Sequence, residues 1–246
     1  MSHTIMVEVI PIRIPGEIDV DTGLVDAIMD SVKVCDGDIL VVTQKAVSKA
    51  EGRMIRLDSV EPSLLATGIS GEYGKDPRVV ELVLSQCRRI LRMESGIIIT
   101  EMRTGHVCAN SGVDLSNVPS GYALLLPSDC DKSAESIRRT LQDRYGVRAG
   151  VIISDTVGRP FRNGQVDIAL GCSGISPMVD HTGKPDMHGR ILQVTMPAAA
   201  DQLASAAEIS MTKTGGNPAA IIRGAGNLLG SGTGQDLIRV HRDLFR

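Results

Sequence analysis

The apolar residues of this chain fall into short Val-, Ile- and Leu-rich runs, and each run is bounded by Gly, Pro or Asp. Runs of that length and composition read as strands, several of them buried on both faces. They cover residues 5–12, 39–43, 96–101, 123–126, 150–154, 191–195 and 219–223. Between them the spacing predicts helices over 23–34, 77–89, 133–145, 198–211 and 236–245. In the third of these Ile137, Leu141 and Tyr145 recur every four residues and Gly146 supplies the stop. Strand and helix do not alternate cleanly, and no repeat or low-complexity linker interrupts them, so the pattern is that of a mixed α/β or α+β enzyme. A chain of 246 residues fills one sizeable domain or two small lobes and can bury a core without staples.

Composition narrows the function. Aromatic residues make up 2% of the chain, with no Trp, so the core is aliphatic and a ring-shaped ligand finds few side chains to stack on. Lys and Arg number 26 against 29 Asp and Glu, which leaves no overall positive field for a nucleic-acid backbone or an anionic bilayer. Cys35, Cys87, Cys108, Cys130 and Cys172 are scattered and never form a CxxC pair, which argues for a reducing compartment. No apolar run approaches the roughly 20 residues that span a bilayer, and the first residues lack a signal-peptide pattern. The expectation is a soluble, cytoplasmic protein with neither nucleic acid nor membrane as a partner.

Three stretches, between residues 44 and 56, 103 and 121, and 156 and 189, carry Gly, Asn, Ser, Asp and Arg without sustained periodicity, and such segments hold functional residues when a scaffold positions them. In the first, Lys45 and Lys49 are four apart and would share a helix face, as point charges for phosphate oxygens or as a basic solvated turn. In the second, Asp114 and Asn117 are hard oxygen donors of the type Mg²⁺ or Mn²⁺ prefers, or an Asx-rich turn bonded to its own backbone. The third is the most site-like: Asp155 and Thr156 end an apolar run, with Arg159 and Arg162 close behind. It offers a metal ligand, a hydroxyl and guanidinium forks in one loop, unless the arginines merely pair with Asp155 and Asp167. A fourth, glycine-rich stretch begins at Met211; its later glycines at 224, 226 and 230 are one residue too long for a dinucleotide fingerprint. There is no GxxxxGK[ST], HExxH or GxSxG, so P-loop, zincin and serine-hydrolase chemistry drop out.

NSGVDLSN, then SDTVGRPFRNGQVDIALG about forty residues on, together with the early DGDILVVTQKAVSKAEGR, resemble the F420-0 γ-glutamyl ligases of deazaflavin-cofactor biosynthesis, in the same motif order from Val7 to about Gly224. The resemblance implies an α+β, two-lobed fold with mixed sheets, the whole chain forming one catalytic unit within an intertwined homodimer. It implies GTP- and metal-dependent joining of L-glutamate to F420-0 through an acyl phosphate, with further γ-linked glutamate accepted, and with Mg²⁺ or Mn²⁺, two ions per subunit, and K⁺ as cofactors. Asp114 and Asp155 match the shared metal ligands and Thr156 a ligand of the second ion. The GTP contacts carry over to Ile14, Pro15, Gly16 and Glu17, to Gln44, Lys45 and Lys49, to Asn117, and to Met211, Thr212, Lys213, Thr214, Gly215, Gly216 and Asn217. Lys49, Arg159 and Arg162 are the expected phosphate-neutralising charges. Two departures stand out: Gln44-Lys45 replaces small hydroxyl residues, and Lys213 stands where the family can place an acidic or amide ligand of the second ion. A homologue that binds nucleotide or metal with altered specificity or without catalysis is the alternative.

Overall fold

The structure, a computed structural model, describes residues 6–212 and 214–239. Its centre is a five-stranded sheet in the order β1 (Glu8–Ile12), β10 (Ala219–Arg223), β2 (Ile39–Thr43), β8 (Gly150–Arg159) and β9 (Arg162–Ser173). Only the β2/β8 pair is parallel; every other neighbour in the sheet runs antiparallel. The sequence ILVVT of β2 has no polar alternation because both of its faces are covered. Leu40 and Val42, with Val151, Ile153 and Ile221, pack on one side against Val25 and Ile28 of α1 (Leu24–Ser31) and Ile137 and Leu141 of α5 (Cys130–Tyr145). Ile39 and Val41, with Ile152 and Ile222, pack on the other against Leu203, Ala204 and Ala207 of α6 (Ala199–Met211). The period of two sorts the strand into two cores.

Helix boundaries follow local chemistry. Asp129 caps α5 by accepting a hydrogen bond from the Lys132 N–H, and Gly146 ends it in the left-handed region at φ 69°. A smaller part of the molecule combines α3 (Leu64–Tyr73) and α4 (Pro77–Gln86), capped by Ser63 and Asp76, with a three-stranded antiparallel sheet of β4 (Cys87–Glu94), β5 (Ile97–Met102) and β6 (Val107–Ala109). A two-stranded sheet of β3 (Met54–Arg56) and β7 (Tyr122–Leu124) lies beside α2 (Gln44–Ala50). The result is mixed α+β with mixed sheets, as expected.

Several expectations need correcting. The helix over 77–89 stops at Gln86, and Cys87–Glu94 becomes a strand whose partner β5 supplies Glu101 to Arg88 and Arg89. Residues 191–195 are not a strand: beyond one bridge between Ile191 and Pro185, they fold back in an exposed ribbon held by bonds such as His181 N–H to the Thr195 carbonyl. The stretch after Thr156, expected as a loop, continues as β8 and β9, and that after Thr43 holds α2 and β3. Of the helix over 236–245, residues 236 and 237 close a 3₁₀ turn that begins at Gly234, and those from 240 on lie outside the described residues, as does Ile5 of the first strand.

Candidate active site

The parallel pairing of β2 with β8 brings Thr43 opposite Ser154, and both strands end or change character there. α2 begins at the next residue of one chain segment, while β8 runs on through Asp155 and Thr156. β10 is antiparallel to β2, so its entry segment 214–218 arrives at the same edge, tied by the Thr43 N–H to the Pro218 carbonyl at 2.9 Å. The turn after β1 arrives there too, because Ile12 pairs with Ala219. Ligand crevices in sheets with parallel strands form at strand carboxyl ends. Here that edge opens into a cleft of about 520 Å³.

Most of the anticipated residues line it: Ile14, Gly16, Glu17, Gln44, Lys45, Lys49, Asn117, Asp155, Thr156, Met211, Thr212, Thr214, Gly216 and Asn217. Pro15 and Gly215 sit within the same turns without lining it, and Lys213 lies outside the described residues. Asp114 reaches the cleft through an ion pair with Lys45, whose ammonium also donates to the Ser116 hydroxyl at 2.7 Å. The same Asp114 accepts the Ser116 N–H in an Asx turn, so the local-turn reading of that segment is realised alongside any ligand role. Arg159 and Arg162 are not brought in. β8 continues for three residues past Thr156, which carries Arg159 to the hairpin tip, where it donates to the Asn163 carbonyl at 2.7 Å; Arg162 is exposed. Neither pairs with Asp155 or Asp167 through a salt bridge among the described residues. A second cavity of about 520 Å³, lined by Arg103, His106, Asp131 and Leu170, holds none of the anticipated residues.

Six cleft residues go beyond the sequence expectation, Ile18, Thr43, Ala46, Ser154, Asp167 and Pro218; in the sequence Ser154 reads as the end of an apolar run and Asp167 only as an arginine partner. Asp167 is 1% exposed and accepts hydrogen bonds from the hydroxyls of Ser154 at 3.1 Å and Thr156 at 2.6 Å. The available signal was the polar Asp between Val166 and Ile168 on an otherwise apolar strand half.

Electrostatics separate the carboxylates. Burial pushes the Asp155 carboxyl up to about 6; the backbone N–H of Thr156 opposes this, and the neighbouring Asp167 and Asp114 add to it. Burial would also raise Asp114, but the hydrogen bonds from Lys45 and the Ser116 N–H outweigh it and hold that carboxyl below its usual range. Strain accompanies the charge: Asn117 (φ 56°) and Thr212 (φ 49°) occupy the left-handed half of backbone space, which is costly for a β-branched residue such as Thr212. The apolar lining is Ile14, Ile18, Ala46, Met211 and Pro218, with no aromatic side chain among the described lining residues.

The fold and cleft define an α+β protein with oxygen donors and lysines gathered at the carboxyl ends of a parallel strand pair. Within that class the chain belongs to the F420-0:Gamma-glutamyl ligase family, whose model matches residues 11–224. Among its relatives is a protein of Methanothermobacter thermautotrophicus, named Coenzyme F420:L-glutamate ligase, 47% identical over 215 residues covering 86% of this chain and 85% of that protein. A protein of the same name from Methanopyrus kandleri is 46% identical over 215 residues, covering 87% and 85%. Another from Methanococcus maripaludis is 38% identical over the full length of both chains.

Proposed function

We propose that the chain joins L-glutamate to coenzyme F420-0 with GTP as the phosphoryl donor, releasing GDP and phosphate, and that the product accepts further γ-linked glutamate. Family membership and the relatives' names support the ligation. The observation that carries the site reading is convergence: segments near residues 14–18, 44–49, 117, 154–156, 167, 211–212 and 214–218 meet at one sheet edge.

A carboxylate and an amine do not condense at neutral pH, because one is ionised and the other protonated. In the proposed sequence an F420-0 carboxylate oxygen attacks the γ-phosphorus of GTP, and the bond to the GDP oxygen breaks. The glutamate amine then attacks the acyl carbon, phosphate leaves with the bonding pair, and the amine proton passes to solvent or base. Lys49, which lines the cleft, and Lys45 screen the triphosphate so that an anionic nucleophile can approach. Ile14, Ile18, Ala46 and Met211 supply an aliphatic surface for the guanine, and backbone groups of the turns at 14–17 and 214–217 supply its polar contacts. No protein nucleophile is required.

A divalent cation is tested by the donor set. Among the described residues no three His, Cys, Asp or Glu side chains are grouped to hold an ion by themselves. Mg²⁺ does not need such a group: it typically takes one or two carboxylates, retains waters and completes its shell with substrate phosphates. Asp155, with Thr156 beside it and Asp114 near enough to perturb it, fits that pattern. These residues would hold Mg²⁺ or Mn²⁺, and the ion would neutralise charge on the phosphate oxygens. The two-lobed form, the homodimer, the second ion, K⁺ and the cytoplasmic setting belong to the same reading. No described helix is long and apolar enough to cross a membrane.

The test is incubation with F420-0, L-glutamate, GTP and Mn²⁺, followed by mass analysis. The reading expects a product heavier by one glutamyl residue and one GDP released per bond formed. GTP consumption without glutamyl product, or product formed without any nucleotide, contradicts it.

A further inference from the structure

Asp167 is buried at the base of the cleft, and the register of the β8/β9 hairpin puts it there. Between Ile153, opposite Gly171, and Ser154, opposite Ala169, the pairing skips one residue of β9. Without that bulge Asp167 would stand opposite Val157; with it, Asp167 stands opposite Thr156, on the face that Ser154 and Thr156 share. Both hydroxyls donate to its carboxylate, Thr156 to Oδ1 at 2.6 Å and Ser154 to Oδ2 at 3.1 Å. The main chain is anchored as well: the Ser205 hydroxyl of α6 donates to the Asp167 carbonyl at 2.7 Å.

A threonine hydroxyl has one proton and two lone pairs, whereas an ionised carboxylate only accepts. A hydroxyl whose proton is committed to a carboxylate turns lone pairs alone to anything else it meets. It therefore suits a cation or an N–H donor and repels a phosphate oxygen. The nearby negative charge also increases the electron density on Oγ1. From this geometry we infer that Asp167 is a positioning residue: it orients the Thr156 hydroxyl so that its oxygen faces the cleft as a cation ligand. The inference rests on the divalent-cation reading of the cleft. It adds the residue behind the ligand, a place where substitutions typically change metal affinity tenfold to a hundredfold.

The experiment measures Mn²⁺ binding to the full chain by electron paramagnetic resonance, without nucleotide or substrate. The variants are Thr156→Val, Asp167→Asn, Asp167→Glu and the double change T156V/D167N, each checked for folding by circular dichroism and thermal unfolding. Asp167→Asn keeps the side chain's shape, but its amide can donate to Thr156 and release the hydroxyl proton toward the cleft. The expected result is affinity about ten- to a hundredfold weaker for D167N at a near wild-type fold. Partial recovery is expected in D167E, and the double variant should be no weaker than the worse single one, because both changes remove one element. Equal binding by wild type and D167N overturns the inference while leaving the cation reading intact. So do multiplying effects in the double variant, which would make Asp167 an independent ligand. No Mn²⁺ binding by the wild-type chain overturns both. If D167N does not fold, T156V/D167E against T156V decides: the inference expects no difference, and a further loss contradicts it.

Discussion

β8 is one strand with two unlike halves. Gly150–Ser154 is buried, apolar but for its last residue, and packed between helices, whereas Asp155 and Thr156 face a cleft with a carboxyl displaced upward by burial and by like charges. β9 repeats the contrast in reverse, polar and exposed from Arg162 to Gln165 and buried from Ala169 to Ser173, with Asp167 at the change-over. The sheet centre stores stability and its edge spends some of it on chemistry. An ionised carboxylate held away from water beside like charges, as Asp155 is, opposes folding, and a ligand that neutralises it offsets that cost.

The largest test of this contrast is Ile152→Ala. Ile152 is fully buried between β2 and α6, and its loss should cost about 2–5 kcal/mol in urea denaturation. Variant that remains folded should retain wild-type Mn²⁺ affinity; loss of metal binding there would show that centre and edge are not separable. Lys49→Ala should do the opposite: unchanged denaturation midpoint, with KM for GTP raised about ten- to a hundredfold, equivalent to about 1.4–2.8 kcal/mol of charge-assisted contact. Smaller still, Thr212→Gly removes a β-branched residue from φ 49° and should stabilise the chain by about 1 kcal/mol, read as a higher midpoint. A lower midpoint would mean that the loop's hydrogen bonds, not backbone strain, dominate there.

The centre was legible in the sequence for the reason it is stable. ILVVT and GVIIS tolerate no polar residue because both faces are covered, and α5 carries its periodicity and its stop signal openly. Its neighbours were harder. β9 begins Arg-Asn-Gly-Gln, which no propensity marks as strand, and is held by pairing to β8 instead. Residues 87–89 continue the helical pattern of 77–86 in sequence, but a ladder with β5 and its Arg89–Glu101 pair overrides it, while 191–195 have strand composition without a sheet to join. At the site, the motifs around Asp114, Asp155 and Lys49 point to the sheet edge where the cleft opens. Arg159 lies away from the cleft because its segment is strand rather than loop: three further extended residues after Thr156 advance the chain about 10 Å, past the cleft. Asp167 was undervalued because a one-residue bulge, invisible without the partner strand, decides which face it takes.

Asp155 sits at the cleft at a cost to stability. Its carboxyl, up at about 6 against 3.8 in an unfolded chain, keeps its proton more readily when folded. Wild-type stability should therefore decline as pH rises from about 4 to about 6, by at most about 3 kcal/mol, and Asp155→Asn should lack that decline. The decisive measurement is urea denaturation of metal-free wild type and D155N from pH 4 to 8, paired with GTP turnover at pH 7. D155N should be at least as stable as wild type above pH 6, the difference vanishing near pH 4, with turnover lost by about 10³-fold. A D155N chain that is less stable at pH 7, or one that turns over GTP like wild type, would contradict it.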